Sequence, residues 1–554
     1  MKNILFCLAI IAFISNQLFA VTKDSTEIQH FRIEKLAATC KVWGFLKYYH
    51  PKVAAGEFNW DEKLFEILPE IEAAQNKKEF SATMEHWLQG LGKVDVFENK
   101  IIENKIDYFD KNFDLSWIEK NQLFSKNLQQ QLRFVEKNRI NLNTHYVDFG
   151  KITKSLSVTN EAQYPEFSWN NQNLRILMLF RYWNYIEYFF PYKYQIDKKW
   201  DKILKLFIPK FAGIQSEVEL HLTVAELIAN LNDSHATLKT NILDSYFGNK
   251  WIAAKIKIID SKVVIAGIYN DSLAKIDDIC VGDVVTKVNG ENVDNLIQSF
   301  RRYFGASNIA GQNRNLRFAL LSGNTSKVQI EFKRNNIVVT KMVQRYTNEV
   351  LNIAELRFTP WQITGDNIGI VNLNALKLKI NTAFKELSQT KAIILDLRNG
   401  SSIELPKLAG FLNSKEQEFV KFTFPDLSYP GRFIWQKSRN CGSENPDFYK
   451  GKVIVLVNEF VQSSYEYLAM GLQTSPNITV MGTQTAGANG DICTVNLFEK
   501  FPTRFSSLGV FYPNKEETQR LGIKIDVEVK QTISGINAGK DELLENAINF
   551  INRN

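Results

Sequence analysis

The sequence predicts a multidomain α/β protein: a helical tandem repeat, then a β-rich module, then a domain in which strands and helices alternate. Three observations carry this. An aromatic-rich helical pattern recurs at a fixed offset in the first half. A cluster of short β-branched runs with a hairpin turn follows from about residue 246. From about residue 350, buried-strand and helix patterns alternate to the end. The 554 residues, 45% hydrophobic and 23% charged, exclude a disordered tail, a collagen or a disulfide-stapled mini-protein. At roughly 100–200 residues per domain, three or four domains are expected. Lys+Arg exceed Asp+Glu by 67 − 60 = 7 with no dense basic block, so charge gives no case for nucleic acid.

The first element reads as a processing signal. Lys2 supplies a positive start, Ile4 to Phe13 an apolar run, and Leu18-Phe19-Ala20 a small-residue end. This predicts a secretory signal peptide over 1–20, cleaved near Ala20, and an exported, periplasmic or secreted protein. The apolar run is short for a span of about 20 residues, and no transmembrane span is expected in the mature chain. Cys40, Cys280, Cys441 and Cys493 then remain, scattered and without a Cys-x-x-Cys pair, so isolated buried thiols are expected.

The helical repeat follows. Shifted by 140 positions, Trp43 matches Trp183, Tyr48 matches Tyr188, Pro51 matches Pro191, and Trp60-Asp61 matches Trp200-Asp201. Pro69 with Pro209 and Leu91 with Leu231 extend the register. Trp and Pro are rare, so this reads as a tandem duplication, copy one over 21–110 and copy two over 111–245. Leu204, Phe207, Ile208 and Phe211 fall at helical spacing, with Pro191 and Pro209 as punctuation. The copies differ at their ends: Asn232-Asp233-Ser234-His235 stands where copy one has Gly92-Lys93-Val94-Asp95. Copy two is expected to carry chemistry and copy one to be structural.

In 246–348, β-like runs occupy Ile252 to Ile259, Lys262 to Ile268, Val284 to Val288, Val328 to Phe332 and Ile337 to Val343. Asn289-Gly290 is a strong hairpin turn because both residues tolerate positive φ. Ser272 to Ile276 followed by Gly282-Asp283-Val284-Val285-Thr286-Lys287-Val288-Asn289-Gly290 resembles a PDZ domain. The resemblance implies a site for extended C-terminal peptides, held as an added strand.

In 349–554, Ile368 to Leu373, Lys391 to Asn399, Val453 to Val457 and Ile478 to Met481 read as strands. Helices are expected around Ala383 to Leu387 and over Ser464 to Leu472, giving a largely parallel sheet. Ligands at such sheets bind at the carboxyl ends of strands, where Asp396 to Asn399 and Asn458 to Ser464 sit. Ser463 lies between a strand and a helix, where free amides and the helix dipole favour an oxyanion. Serine is also a common helix cap, so the junction alone is a weak signal.

Together, LVNEFVQSSYEYLAMGLQ, KAIILDLRNGSS, GTQTAGANGD and the PDZ-like block resemble the tail-specific, or C-terminal-processing, serine protease family. LNDSHATL and KEETQRLGIKIDVEV resemble its tricorn-like branch. The resemblance implies a crotonase-like catalytic core over 349–554 and a serine nucleophile. The family's Ser-x-x-Glu/Asp motif falls on Ser463 and Glu466, which makes Ser463 the nucleophile and leaves Ser464 as oxyanion amide or alternative nucleophile. Many members use a lysine as base; Ala488 stands at that position, which excludes that dyad unless another lysine reaches in. The tricorn-like branch uses a histidine after a serine, matching Ser234-His235, and a neutral imidazole suits the task. The residue that orients it falls on Gln519, or on Glu517 in a shifted register. Ser401 and Ser402, where the family usually has glycines, are the remaining backbone donors, at some loss of permissiveness.

No phosphate loop, dinucleotide motif, metalloprotease helix or EF-hand loop occurs, so neither cofactor nor metal is expected. The reading is an exported serine endopeptidase acting on peptides or unfolded proteins. Two alternatives stand beside it: a catalytically degenerate peptide-binding protein, and an esterase on the same fold.

Overall fold

The computed structural model describes residues 2–96, 106–139, 145–150, 155–351 and 358–553, with side chains from residue 26 onward. Asn59 caps the helix Trp60–Ala73, accepting from Glu62 N at 3.3 Å, and Asn76 caps Lys77–Gly90 in the same way. Their counterparts are Trp200–Gly213 and Glu217–Ala229, the latter capped by Ser216. Within each copy the two tryptophans bond reciprocally: Trp43 Nε1 to Trp60 O and Trp60 Nε1 to Trp43 O, then Trp183 and Trp200 in the same pattern. Between copies the ion pairs are swapped, with Lys41 meeting Asp201 and Arg181 meeting Asp61. Positions 41 and 61 of copy one equal 181 and 201 of copy two, so the halves pack about a pseudo-two-fold axis.

The first helix, Lys2–Tyr49, runs through the segment expected to be a signal peptide. The side chains that define that signal lie outside the described residues. Among the described residues no helix is long and apolar enough to cross a membrane. Helix Gln172–Phe189 ends ahead of Pro191, as the punctuation argument requires. Pro209 departs from it, sitting inside Trp200–Gly213 just as Pro69 sits inside Trp60–Ala73. A single lost backbone bond is outweighed there by burial of Ile208 and Phe211 on the same helix.

Next comes an antiparallel sheet in the spatial order Ile337–Gln344, Lys327–Arg334, Val284–Val288, Lys262–Ile268, Ala254–Ile259. Asn289 and Gly290, at φ +49° and +82°, turn Val284–Val288 into Glu291–Asn292 as a two-residue hairpin. Helices Val293–Arg301 and Ile309–Leu320 complete this unit, and Val263, Val285, Leu316, Ile330 and Phe332 lie in its own core.

The last unit is built on a parallel run of four strands, Ile368–Asn372, Ala392–Asp396, Lys452–Val457 and Ile478–Gly482. Trp361–Ile363 extends it antiparallel at one edge, and Val527–Glu528 parallel at the other. The GIKIDVEV string forms this edge: Val527 and Glu528 pair with Met481 and Gly482, and Asp526 N bonds Val480 O. A separate hairpin, Ile492–Asn496 with Pro502–Ser506, reaches into the helical repeat. Its second strand pairs Thr503 and Arg504 with Leu238 and Thr237. Phe498, Phe501 and Phe505 are buried in the same cluster as Trp183 and Phe211, so one apolar core spans both units.

Candidate active site

Ser463 sits at the carboxyl end of strand Lys452–Val457, one residue before helix Ser464–Leu472. Its backbone has φ +59° and ψ −122°, a region that a side chain tolerates only when its surroundings enforce it. Two bonds do so: Ser463 N donates to Ala488 O at 2.9 Å and to Glu466 Oε2 at 3.3 Å. A serine on a strained strand-to-helix turn presents its hydroxyl clear of the backbone, beside the positive end of the helix. That hydroxyl makes a long 3.4 Å bond to Gly490 O.

Glu466 is the clamp of this turn. It is fully buried and accepts from the Thr485 hydroxyl, from Gly487 N at 2.9 Å and from Ala488 N at 3.0 Å, besides Ser463 N. Burial pushes its carboxyl up to about 7, against the pull of those donors. Ala488, at the position where a lysine base was weighed, contributes only backbone to the clamp and a buried methyl group.

His235 arrives from the end of copy two, held by the bridge from Thr237–Leu238 to the hairpin. Its Nδ1 lies 2.9 Å from Ser506 Oγ, which lies 3.0 Å from Asp233 Oδ1. Asp233 also accepts from Ser506 N at 2.8 Å and from His235 N at 3.1 Å. A carboxylate accepts only, so the single Ser506 proton points to Asp233 and its lone pair takes Nδ1–H. The imidazole is thereby fixed with Nδ1 protonated and Nε2 free to accept a proton. Burial holds the His235 pKa below its ordinary value, with Asp233 opposing, so the ring is neutral at neutral pH.

The two halves are stitched at neighbouring residues. Gln462 Nε2 donates to Ser234 O at 3.2 Å, and Ser234 Oγ donates to Ala486 O at 2.8 Å. Ser234 and Ser307 exchange a second pair of bonds, each backbone N to the other's hydroxyl at 2.9 Å. No hydrogen bond joins the Ser463 hydroxyl to the His235 ring among the described residues, as is common before substrate binds.

The two candidates for an orienting residue separate cleanly. Glu517 is bound by Lys111 at 2.8 Å, Tyr194 at 2.6 Å and Gln195 at 3.0 Å, none of them in the shell of His235. Gln519 is buried beside Asp233, donating to its Oδ1 at 3.4 Å and to Ser307 Oγ at 3.3 Å. The charge near His235 is thus carried by Asp233, which sequence reasoning quoted without assigning. Ser506, the link between them, gave no sequence signal at all. The expectation of two free serine amides after Asp396 needs correction at one of them. Ser402 N donates to Leu373 O at 3.0 Å and its hydroxyl accepts from Lys377 N at 2.8 Å, so the loop is tied to the segment that follows the neighbouring strand Ile368–Asn372. Ser401 Oγ closes a local turn with Ile403. Ser464 opens the helix and stands in the wall of the Ser463 cavity. That cavity, about 320 Å³, has Phe422, Phe424, Tyr467 and Leu508 for apolar walls and Arg439 among its lining residues. No group of three or more His, Cys, Asp or Glu placed to hold a metal occurs among the described residues. Among the described residues the four cysteines are free thiols, Cys280 exposed and the others buried.

Residues 367–529 match peptidase family S41. The chain is similar to that family over this segment, 163 of its 554 residues. The match runs from the first parallel strand through Ser463 and Glu466 to the edge strand that ends at Glu528. A "Probable CtpA-like serine protease" of Staphylococcus haemolyticus (strain JCSC1435) is 26% identical over 295 residues, 50% of this chain and 52% of the relative. The chain thus matches about half the length of that curated relative. Among solved structures, mature CPAF complexed with lactacystin superposes with a TM-score of 0.53 at 13% identity, covering 69% of this chain and 99% of that one. Mature CPAF alone gives 0.52 at 14% identity, over 69% and 98%. At these identities the likeness is one of fold, a mixed α/β multidomain architecture.

Proposed function

We propose that this chain is a serine endopeptidase of the S41, tail-specific type, exported after loss of residues 1–20, that hydrolyses peptide bonds in peptides or unfolded proteins. Ser463 Oγ attacks the scissile carbonyl while His235 Nε2 takes its proton and returns it to the leaving amine; water then releases the acyl group. Ser464 N–H, at the start of the helix, is the nearest backbone donor for the developing oxyanion. The sheet unit over 246–348 is PDZ-like in this reading. The groove beside its edge strand Ala254–Ile259 takes substrate C-termini, and the unit over 349–554 is the crotonase-like catalytic core. The observation that supports the reading best is the directed bond chain Asp233–Ser506–His235, which leaves Nε2 free as a base, while Gln462, the neighbour of Ser463, bonds Ser234, the neighbour of His235.

A second reading, a peptide-binding protein that turns over slowly or not at all, is favoured by one observation. The Ser402 amide is bonded to Leu373 O, so one expected oxyanion donor is engaged. Cleavage of an unfolded protein substrate decides between them. The protease reading expects turnover that falls by about 10³-fold or more in Ser463→Ala with the fold retained. Equal, negligible turnover in both proteins, with C-terminal peptides still bound, selects the binding protein. A panel of peptide and ester substrates then distinguishes a peptidase from an esterase.

A further inference from the structure

A cavity of about 730 Å³ lies between the antiparallel sheet unit and the parallel-sheet unit, and it shares no lining residue with the one at Ser463. On one side stand Lys257 to Asp260, from the edge strand Ala254–Ile259 and its turn, with residues of helix Ile309–Leu320 as far as Arg317. On the other stand Asn458 and Glu459, in the loop that leads to Ser463, with Arg398, Thr483, Gln484 and residues drawn from 528–543. Five cations and four carboxylates line it, and they are unequally paired. Lys257 meets Glu459 at 3.5 Å, Arg398 meets Asp541 at 2.7 Å and Lys530 meets Glu528 at 3.0 Å, while Asp260 is exposed at the turn. Arg314 and Arg317, one helical turn apart, are left without an ion pair among the described residues. Arg314 bonds neutral oxygens, Nε donating to Asn315 Oδ1 and Nη1 to Glu459 O, both at 3.1 Å. Its Nη2 and the three nitrogens of Arg317 make no hydrogen bond among the described residues, and none of the four is closed off from solvent. Arg317 rests over the rings of Phe318 and Phe460, its Cζ 4.4 Å from each centre, contacts that leave its N–H donors unmatched.

We infer that Arg314 and Arg317 select substrate chains that bear an acidic side chain, aspartate or glutamate, whose carboxylate seats against the two guanidinium groups in this cavity. This rests on the proposed use of the edge strand Ala254–Ile259 for extended peptides. The charge of the lining chooses the class. A guanidinium drawn out of bulk water without a counter-ion is costly, and burial is the first cause holding both arginines below their ordinary pKa. The two also repel each other, and Glu459, the carboxylate that acts on both, is already engaged by Lys257. A carboxylate between them relieves both, and the fork of a guanidinium matches its two oxygens. A basic side chain on the substrate would meet like charge, and an apolar one would leave the donors unmatched. An acidic side chain held there lies beside the loop that carries Glu459 and Phe460 on to Ser463.

The test uses the full chain with Ser463→Ala, so that bound peptide is not cleaved, and reads the fluorescence anisotropy of octapeptides of alanine and valine labelled at the N-terminus with the uncharged fluorophore BODIPY. One glutamate, or one glutamine as the neutral control, occupies each of the last five positions in turn, and every peptide is made with a free and with an amidated C-terminus. At a favoured position glutamate should bind about tenfold more tightly than glutamine, with the same ratio in the acid and amide sets. In Arg314→Gln/Arg317→Gln that ratio should fall to one, while the glutamine peptides bind as before. Equal affinity of glutamate and glutamine peptides at every position would overturn the selectivity and leave the peptide groove standing. So would an effect of amidation alone, which would place the chain terminus rather than a side chain at the arginines. A preference that persists in the double variant would overturn it as well. Binding of no peptide of either kind would overturn the groove itself, and the selectivity with it. Should the double variant fail to fold, salt decides: the ratio should shrink severalfold between about 50 and about 500 mM sodium chloride, and a constant ratio would contradict a charge contact.

Discussion

At the scale of single residues, the strain at Ser463 is a measurable quantity. A side chain held at φ +59° and ψ −122° costs about 1–3 kcal/mol that glycine does not incur. Ser463→Gly is therefore expected to melt at a higher temperature than Ser463→Ala, with both inactive; a lower melting temperature for the glycine variant would show the turn to be relaxed. Glu466 gives a pH signature. Its carboxylate must be ionised to accept from Ser463 N, Gly487 N and Ala488 N together, and burial has raised its pKa to about 7. His235 must also be deprotonated, but burial places its titration below 6.5. As pH falls, kcat/KM should drop first through the Glu466 step near 7. In Glu466→Gln that step should vanish, leaving a lower plateau whose acid limb lies below 6.5. An unmoved limb would assign the step to another group. Part of the candidate site was legible in the chain: Ser463, Glu466 and His235 are singled out by their resemblance to the family's motifs. Asp233 and Ser506 are not, because their roles arise from a hairpin that returns to copy two far along the chain, and a lone serine in a strand carries no local sign of its partner.

At the scale of elements, the duplication sets up an internal control. Arg181 and Lys41 are equivalent positions, yet the Arg181–Asp61 pair is 0% and 7% exposed while Lys41–Asp201 is 12% and 52% exposed. Arg181→Met would strand Asp61 in the core and is expected to destabilise by about 3–5 kcal/mol. Lys41→Met should change stability by no more than about 1 kcal/mol. Urea unfolding of the two variants reads this directly, and similar losses in both would contradict the burial argument. Strand and helix positions were readable because period and turn chemistry agree, as in Val284–Val288 and its Asn289-Gly290 turn. The misreading at Pro209 has a physical cause. Pro209 stays inside a helix because tertiary burial overrides the local signal there.

At the scale of the whole molecule, the proposed base and the proposed nucleophile belong to different units. The hairpin Ile492–Asn496/Pro502–Ser506 joins those units by sharing the aromatic core of the helical repeat and by pairing with Thr237–Leu238. Composition and repeats announce the units, but not that one core fuses two of them, since the contacts between Phe498, Phe501 and the repeat are long-range. The proposed mechanism requires the reactivity of Ser463 to depend on His235. Labelling with a fluorophosphonate, followed by mass spectrometry of the adduct, measures that dependence. The account predicts one adduct, on Ser463, absent in Ser463→Ala and formed about 10³-fold more slowly in His235→Ala. An adduct on Ser464, or an unchanged labelling rate in His235→Ala, would contradict it.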